Sequence, residues 1–383
     1  MVDELIRGLK VINAEIIEKI ETQIVDLPLK RIHKFSATSI ISKEFLLVRV
    51  YSRSSLMGIG EATTPGGPWW AGEAIETIKV MIDQYFAPYL IGEDALNVIQ
   101  LMSKLEKVVG NTFAKAAIEM SLLDLKGRAL EVPVYQLLGG LYRESSRINW
   151  PLAMGDAKLD IEEAEKMMDD NLAHNFKVKM GYLSPQDDVN YLGELCKGLC
   201  DNASVHGDLN GAWDESQARS LLPVLEEHGM KFIEQPLQYW NRSGLARVRE
   251  MIGMPILADE SVRTIQDALA LTNLAAADVM SFKPLKSGGL LVCQQIAAIA
   301  AASGVACYAG TFLESSIGTA SMMHWVAATA NIDYGNELVG PIWLADDLVQ
   351  EPVEYRDNQV WVKHGPGLGV DLNEDKVKHY LRN

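Results

Sequence analysis

The stretch FKVKMG, residues 176–181, decides how the second half of the chain folds. Its apolar residues alternate with Lys177 and Lys179, and in a strand two residues that are two apart point to the same face. Two ammonium groups on one face are ordinary at a protein surface, but in a buried parallel strand they are costly and need a reason. The pattern predicts a strand whose two lysines have to be explained together.

Short apolar stretches of the same kind recur from Ile148 onward, separated by amphipathic stretches such as DESQARSLLPVLEEHG. They are ASVHGDL, MKFIEQPL, MPILADE, DVMSFKPL and GVACYAG. Repeated strand–helix units predict a parallel sheet. Because the units are many and regularly spaced, they favour a (β/α) barrel over an open sheet. We assign this barrel to residues 141–337.

The first 140 residues have a different pattern. The runs IIEKIETQIVDLPL, EFLLVRVYS and LMGIGEA are typical of a strand meander, with SRSS as a turn. Residues 71–130 then show helical periodicity, as in AKAAIEMSLLDLKGRAL. We predict an α+β domain over residues 1–140, to which a C-terminal segment, residues 338–383, returns.

Composition excludes several classes of function. The formal net charge of −16 disfavours binding to nucleic acid or to an anionic membrane. The four cysteines include no CxxC pair, which indicates free thiols in a reducing compartment. The N-terminal MVDELIRGLK has no apolar leader segment. We expect a cytoplasmic protein that acts on a small molecule.

Ionisable residues stand at the ends of the predicted strands, about one strand–helix unit apart. In a barrel the carboxyl ends of the strands surround one mouth, and active sites lie there. Converging carboxylates at such a mouth suit a hard divalent cation, Mg²⁺ or Mn²⁺. The strand-end residues are, in order, Lys179, Asp208, Glu234, Asp259, Lys283 and Glu314.

The motifs KVK, DLN, EQP, ADES, SFKPLKSGG and LESSIGT, in this order, resemble the muconate lactonizing subgroup of the enolase superfamily. Runs such as GIGEATTPGG, ELVGPIWLADDLVQEPVEYRD and PGLGVDL resemble muconate cycloisomerases in particular, and the likeness extends from about Ile17. It implies a (β/α)7β modified TIM barrel with an α+β capping domain. It also implies an isomerase that converts cis,cis-muconate, a small dicarboxylate, to muconolactone in the catechol branch of aromatic catabolism. Such enzymes are homo-oligomers, often octamers.

The resemblance also implies a metal centre. Asp208, Glu234 and Asp259 match the ligand positions for Mn²⁺ or Mg²⁺. Adjacent residues of a strand face opposite sides, so we expect Glu260 to be a neighbour of the centre and not a ligand. Asn210, close to Asp208, is expected to contact the substrate.

The resemblance implies roles for the lysines. Lys179 matches the acid/base on one face of the substrate, Lys283 the lysine on the opposite face, and Glu314 a carboxyl that hydrogen-bonds the substrate carboxylate. Lysine carries a proton poorly at neutral pH because its ordinary pKa is about 10.4. A second cation on the same strand face lowers that pKa. We therefore expect Lys177 to tune Lys179.

Two loops of the capping domain are expected to close the mouth and set specificity. They are HKFSATSI, residues 33–40, and TTPGGPWW, residues 63–70. Ser36 and Trp70 are the substrate contacts we expect from them. The Trp69–Trp70 pair keeps a chlorinated muconate open as an alternative substrate.

Other reactions fit the barrel motifs equally well. Lysines on opposite faces would also serve an N-acylamino-acid racemase, a dipeptide epimerase or an o-succinylbenzoate synthase, and only the capping and C-terminal runs favour cycloisomerisation. A non-catalytic barrel would need a degraded set of strand-end residues, and every position is intact.

Overall fold

The N-terminal part of the chain is an antiparallel sheet with helices packed on it. The structure, a computed structural model, describes residues 13–34 and 39–382. Strands β1 (Ile17–Lys34), β2 (Ser39–Ser52) and β3 (Met57–Thr63) pair in that order, which confirms the meander. The helical elements are α1 (Ile75–Val80), a π-helical turn (Met81–Phe86), α2 (Ala87–Leu90), α3 (Val98–Leu105), α4 (Thr112–Leu130) and α5 (Val134–Leu137).

Helix α4 is the central helix of this domain. It is rich in alanine and leucine, which are strong helix formers, and most of its residues are buried. It packs against β3 so closely that a Cβ on Gly60 would collide with the carbonyl oxygen of Ala117. Glycine at this position therefore sets the distance between the sheet and the helix.

The second part of the chain is an eight-stranded parallel barrel. Its strands are hydrogen-bonded in sequence order from β5 to β12, as in a (β/α)7β barrel. The strands are β5 (Trp150–Leu152), β6 (Asn175–Lys179), β7 (Ser204–Asp208), β8 (Ile233–Glu234), β9 (Ile256–Ala258), β10 (Val279–Phe282), β11 (Ala306–Ala309) and β12 (Ile332–Asn336). The helices between them are α6 (Ala157–Asp169), α7 (Pro185–Leu199), α8 (Glu215–Glu227), α9 (Arg242–Arg249), α10 (Ile265–Asn273), α11 (Pro284–Ser287), α12 (Leu290–Ala302) and α13 (Ser316–Ala328).

Two local features hold the barrel together. Ile148, just before β5, forms a parallel bridge with Asn336 at the end of β12, so the first and last strands meet. Several connecting helices begin at a side chain that accepts a backbone hydrogen bond and satisfies a free N–H of the first turn. These N-cap residues are Asp156, Ser184, Asp214, Thr264 and Ser315.

The C-terminal residues contact both halves of the chain. Strand β14 (Gln359–Trp361) pairs with β13 (Glu354–Arg356) and with β4 (Ser145–Arg147) beside the barrel. Leu381 bridges to Val25 in β1. The remaining helices are α14 (Gly340–Trp343) and α15 (Glu374–His379). The boundaries at residues 140 and 337 stay predictions.

The sequence analysis did not recognise the first and last barrel strands. Strand β5 has only three residues, one of them Pro151, and β12 contains Asp333 and Gly335, which are unusual in a buried strand. All four cysteines are free thiols, as predicted. Within residues 13–34 and 39–382, no helix combines the length and hydrophobicity needed to cross a bilayer.

Candidate active site

Three carboxylates meet at the carboxyl ends of three neighbouring strands. Asp208 ends β7, Glu234 ends β8, and Asp259 follows β9 directly. Asp208 and Glu234 are register partners, so their side chains start side by side. All three side chains are fully buried. The predicted position of these residues at the barrel mouth therefore agrees with the structure.

The two lysines of β6 share one face, as the alternation predicts. Their ammonium nitrogens reach the same carboxylate oxygen of Asp208, Lys177 at 3.0 Å and Lys179 at 2.5 Å. Lys177 is fully buried, whereas the side chain of Lys179 is 15% exposed. Only Lys179 of this pair therefore reaches the space above the strand ends.

A second pair of lysines holds Asp259. Lys283, directly after β10, places its ammonium nitrogen 2.6 Å from one carboxylate oxygen of Asp259, and Lys286 places its own 2.7 Å from the other. Lys286 lies on α11, one turn beyond Lys283. The sequence analysis missed Lys286, although it stands within the motif SFKPLKSGG.

Glu337 is the other side chain that the sequence analysis missed. It follows β12 directly, and its carboxylate lies 2.9 Å from the ammonium nitrogen of Lys177. Glu337 obeys the same strand-end rule as Asp208 and Glu234. It was overlooked because β12 itself was not recognised.

Charge and burial set the protonation of this cluster. Burial lowers the pKa of Lys177, but the charges of Asp208, Glu234 and Glu337 outweigh it and raise the pKa well above its ordinary value. Burial, followed by the charge of Asp208, raises the pKa of Glu234 well above its usual range. The expectation that Lys177 tunes Lys179 stays a prediction. At Lys177 itself the surrounding carboxylates, which that expectation left out, act in the opposite direction to a neighbouring lysine.

The pKa values of Asp208 and Asp259 shift in the opposite direction, below their ordinary range. Burial raises the pKa of Asp208, but the charges of Lys177 and Lys179 outweigh it and hold the pKa below its ordinary range. For Asp259 the charges of Lys283 and Lys286 outweigh burial in the same way. Both carboxyl groups are therefore ionised at neutral pH.

The chemistry of these carboxylates fits a divalent cation. Both carboxylate oxygens of Glu234 are buried and accept no hydrogen bond from the part of the chain that the structure describes, and Lys177 approaches one of them as an ion-pair partner at 2.8 Å. Buried oxygen ligands without donors are what a hard cation binds. The side chains as placed pair with lysines instead, and among the described residues no three Asp, Glu, His or Cys side chains form a ready ligand cluster.

The capping domain reaches the barrel mouth through Trp70. Its indole nitrogen donates a hydrogen bond to a carboxylate oxygen of Glu260 (3.1 Å), and the side-chain amide of Asn210 donates to the same oxygen (2.9 Å). The Trp70 ring meets Phe312 edge-on, with centroids 5.0 Å apart. Trp69 is 62% exposed, and its indole nitrogen donates a hydrogen bond to the carbonyl oxygen of Gly66 (3.1 Å). Ser36 lies outside the described residues.

Glu314 lies where the capping domain meets the end of β11. Its carboxylate accepts hydrogen bonds from the backbone N–H of Phe312 (3.1 Å) and from the Thr311 hydroxyl. The next residue, Ser315, donates its backbone N–H (2.9 Å) and its hydroxyl to Glu61 of β3. Strand β3 of the capping domain is thus fixed directly beside Glu314.

Comparison with known proteins places this geometry in a family. Residues 19–139 match the mandelate racemase / muconate lactonizing enzyme N-terminal domain, and residues 160–376 match the enolase C-terminal domain-like family. The fold is that of an enolase-superfamily enzyme. The chain belongs to the mandelate racemase / muconate lactonizing enzyme family and is an isomerase.

Individual relatives are similar over their whole length. The chain is 41% identical to muconate cycloisomerase 1 of Rhodococcus opacus, covering 96% of this chain and 99% of the relative. It is 43% identical to a chloromuconate cycloisomerase of Cupriavidus pinatubonensis, with the same coverage. Among solved structures, the muconate lactonizing enzyme of Pseudomonas fluorescens in complex with muconolactone superposes with a TM-score of 0.95 at 40% identity, covering 97% of this chain and all of that one.

Proposed function

We propose that the chain is a muconate cycloisomerase that converts cis,cis-muconate to muconolactone in the catechol branch of aromatic catabolism. One geometric observation supports this most: the three carboxylates on β7, β8 and β9 are flanked by Lys179 on β6 and Lys283 after β10. A planar substrate above the carboxylates would have one lysine on each side. Relatives that carry this name or the name of its chlorinated counterpart match the chain over almost its full length.

We assign Asp208, Glu234 and Asp259 as the residues that would hold the cation, Mn²⁺ or Mg²⁺. When bound, the ion supplies positive charge to the oxygens on which negative charge develops during ring closure. Glu260 accepts hydrogen bonds from Trp70 and Asn210, so we propose that it lies beside the metal centre and orients these two side chains at the mouth. Asn210 donates to Glu260 at the mouth, and its contact with the substrate stays a prediction.

Side chains of this protein then supply the one proton that the reaction needs. One carboxylate of the substrate forms a C–O bond to the distant alkene carbon, and the displaced electron pair moves toward the α-carbon of the other carboxylate. Lys179 is placed to give that carbon its proton, because its ammonium group is the exposed one on β6. Lys283 faces the opposite side, Lys177 holds the charge of the buried carboxylates, and Glu314 hydrogen-bonds the substrate.

A chlorinated muconate is the second candidate substrate. The identity to a chloromuconate cycloisomerase, 43%, is as high as that to muconate cycloisomerase 1, 41%. The ratio of kcat/KM for cis,cis-muconate and 2-chloromuconate decides between the two substrates.

The activity itself is tested with purified protein, Mn²⁺ and cis,cis-muconate. Ring closure removes the conjugated diene, so ultraviolet absorbance falls as lactone forms. A Lys179→Ala variant is the control for non-enzymatic loss. Unchanged absorbance with both substrates would contradict the proposal.

We further propose a cytoplasmic homo-oligomer, up to an octamer of the 42.3-kDa chain. Light scattering tests the number of chains by measuring the mass of the assembly.

A further inference from the structure

Arg263 lies at the edge of the mouth, between the capping domain and the barrel. Its guanidinium carbon is 4.9 Å from the ring centroid of Trp70 and 5.1 Å from that of Tyr239. Its Nε donates a hydrogen bond to the carbonyl oxygen of Glu260 (3.2 Å). Two aromatic rings and one backbone carbonyl therefore fix the orientation of a long side chain.

Among residues 13–34 and 39–382, the terminal nitrogens of Arg263 have no protein partner. Neither of them donates a hydrogen bond to these residues or pairs with one of their carboxylates, and the side chain is only partly buried. By contrast, Arg242, Arg247 and Arg249 all bind carboxylates through their terminal nitrogens. A fixed guanidinium fork with free donors is suited to a carboxylate supplied from outside.

Arg263 and the proposed catalytic residue Lys283 contact the same aromatic ring, that of Trp70. The ammonium nitrogen of Lys283 is 5.1 Å from the centroid of the same Trp70 ring. The indole nitrogen of that ring donates to the Glu260 carboxylate. An anion held by Arg263 would therefore lie at the entrance to the strand-end cluster.

The charge of the chain explains why a cation at the mouth would help to bind an anionic substrate. The chain carries a formal net charge of −16, so a dianion is repelled at a distance, whereas at the cluster the four lysines and the proposed divalent cation would together balance at most six carboxylates. The lysines are Lys177, Lys179, Lys283 and Lys286, and the carboxylates are Asp208, Glu234, Asp259, Glu260, Glu314 and Glu337. A cation at the entrance offsets this repulsion locally.

We propose that Arg263 is the capture residue for the dianionic substrate. Its terminal nitrogens pair with the carboxylate that is not held at the strand-end cluster, while Trp70 and Tyr239 keep the guanidinium in place. This inference rests on the proposed function for the nature of the substrate. It makes Arg263 a determinant of the preference for dicarboxylates over monocarboxylates.

The first test is kinetic and uses Arg263→Gln and Arg263→Lys. With Mn²⁺ and cis,cis-muconate at low salt, Arg263→Gln should lower kcat/KM by about tenfold and leave kcat within about twofold, since capture precedes chemistry. The salt dependence of kcat/KM should shift toward an increase with rising salt, because without Arg263 the salt screens only the repulsion between the acidic chain and the dianion. Arg263→Lys should keep most of the salt dependence. Arg247→Gln, which removes an arginine paired with Glu215 elsewhere on the surface, should match the wild type.

The second test measures binding without turnover. Adipate, a saturated dianion of the same chain length, and hexanoate, its monoanion, are titrated while tryptophan fluorescence is followed. Arg263→Gln should weaken adipate binding about tenfold and leave hexanoate within about twofold. Equal losses for both ligands, or a fall in kcat with an unchanged salt dependence, would show a structural role and overturn the proposal. A wild type that binds adipate selectively but does not turn over muconate would instead contradict the proposed function.

Discussion

The ammonium nitrogen of Lys177 lies 2.8 Å from the carboxylate of Glu234, and both side chains are fully buried. The same nitrogen is 3.0 Å from Asp208 and 2.9 Å from Glu337. One lysine therefore offsets the charge of three buried carboxylates, two of which we assign to the metal. We expect Lys177 and a divalent cation to stabilise the same carboxylates. Each should contribute more to the free energy of unfolding when the other is absent.

Replacing Lys177 tests this relationship. Lys177→Met removes the cation and leaves the carboxylates uncompensated, which should lower the free energy of unfolding by about 3–5 kcal/mol in the presence of a chelator. The loss should shrink when Mn²⁺ is added. Urea unfolding under both conditions measures it, with the exposed Lys197→Met as the matched control. An equal loss with and without Mn²⁺ would mean that the two cations act on different groups.

Glu234 is the ligand whose removal should affect the metal most cleanly. Glu234→Gln keeps the shape but removes the charge of a buried carboxylate that accepts no hydrogen bond. Mn²⁺ affinity should fall by more than about 100-fold, because even the outer partners of a metal ligand contribute about 10- to 100-fold. Calorimetric titration measures the affinity, and the exposed Glu227→Gln serves as control. Unaltered affinity would remove Glu234 from the ligand set.

Gly310 provides a steric test of the opposite lysine. A Cβ at this position would lie 2.6 Å from Cε of Lys283, so Gly310→Ala must push the lysine side chain aside. We expect a fall in kcat together with a lower unfolding midpoint, since the Cβ would also lie 2.7 Å from the hydroxyl of buried Ser281 and 3.1 Å from Cγ of Lys283. Steady-state kinetics and thermal unfolding, compared with Lys283→Ala, measure both. A Gly310→Ala enzyme with full kcat would show that Lys283 needs no fixed position.

A pH effect on stability is expected from Glu119 of α4. Burial is the main cause that raises the pKa of this carboxyl from 4.5 to about 8, against backbone hydrogen bonds from Leu290 and Leu291 that lower it. The folded state therefore holds the proton more tightly than the unfolded chain. Stability should fall by up to about 5 kcal/mol as the pH rises from about 4.5 to about 8.

Glu119→Gln should remove that part of the pH dependence, because the amide mimics the protonated carboxyl at every pH. The free energy of unfolding, measured with urea at pH 5 and pH 9, should differ less in this variant than in the wild type. Glu227→Gln should leave the difference unaltered. The assignment fails if Glu119→Gln and the wild type lose the same stability between the two pH values.

Much of the site could be predicted because most of its residues stand at the end of their own strand. Each strand–helix unit places the residue at its strand end at the same mouth, so the spacing from Lys179 to Lys283 located the carboxylates without knowledge of any contact. The alternation rule placed Lys177 and Lys179 on one face for the same reason. The meander of the capping domain and the six inner barrel strands followed from periodicity, whereas the (β/α)7β type was implied by the family resemblance.

The remaining features depend on contacts that the sequence does not encode locally. Glu337 was missed because β12 is too polar to resemble a buried strand, and Lys286 because it reaches back from the helix that follows Lys283. The hydrogen bond between Trp70 and Glu260 joins residues 190 positions apart. The raised pKa of Lys177 likewise depends on carboxylates from three other strands.

The measurement that tests the central claim most directly is the reaction in deuterated solvent, followed by nuclear magnetic resonance of the product. With Mn²⁺ and cis,cis-muconate, the wild type should form muconolactone with one deuterium on the carbon next to the free carboxylate. Lys179→Ala should lower kcat by about 10²- to 10⁴-fold, the usual contribution of a positioned acid. Deuterated lactone formed at the normal rate by Lys179→Ala, but not by Lys283→Ala, would contradict the assignment and move the proton to the opposite face.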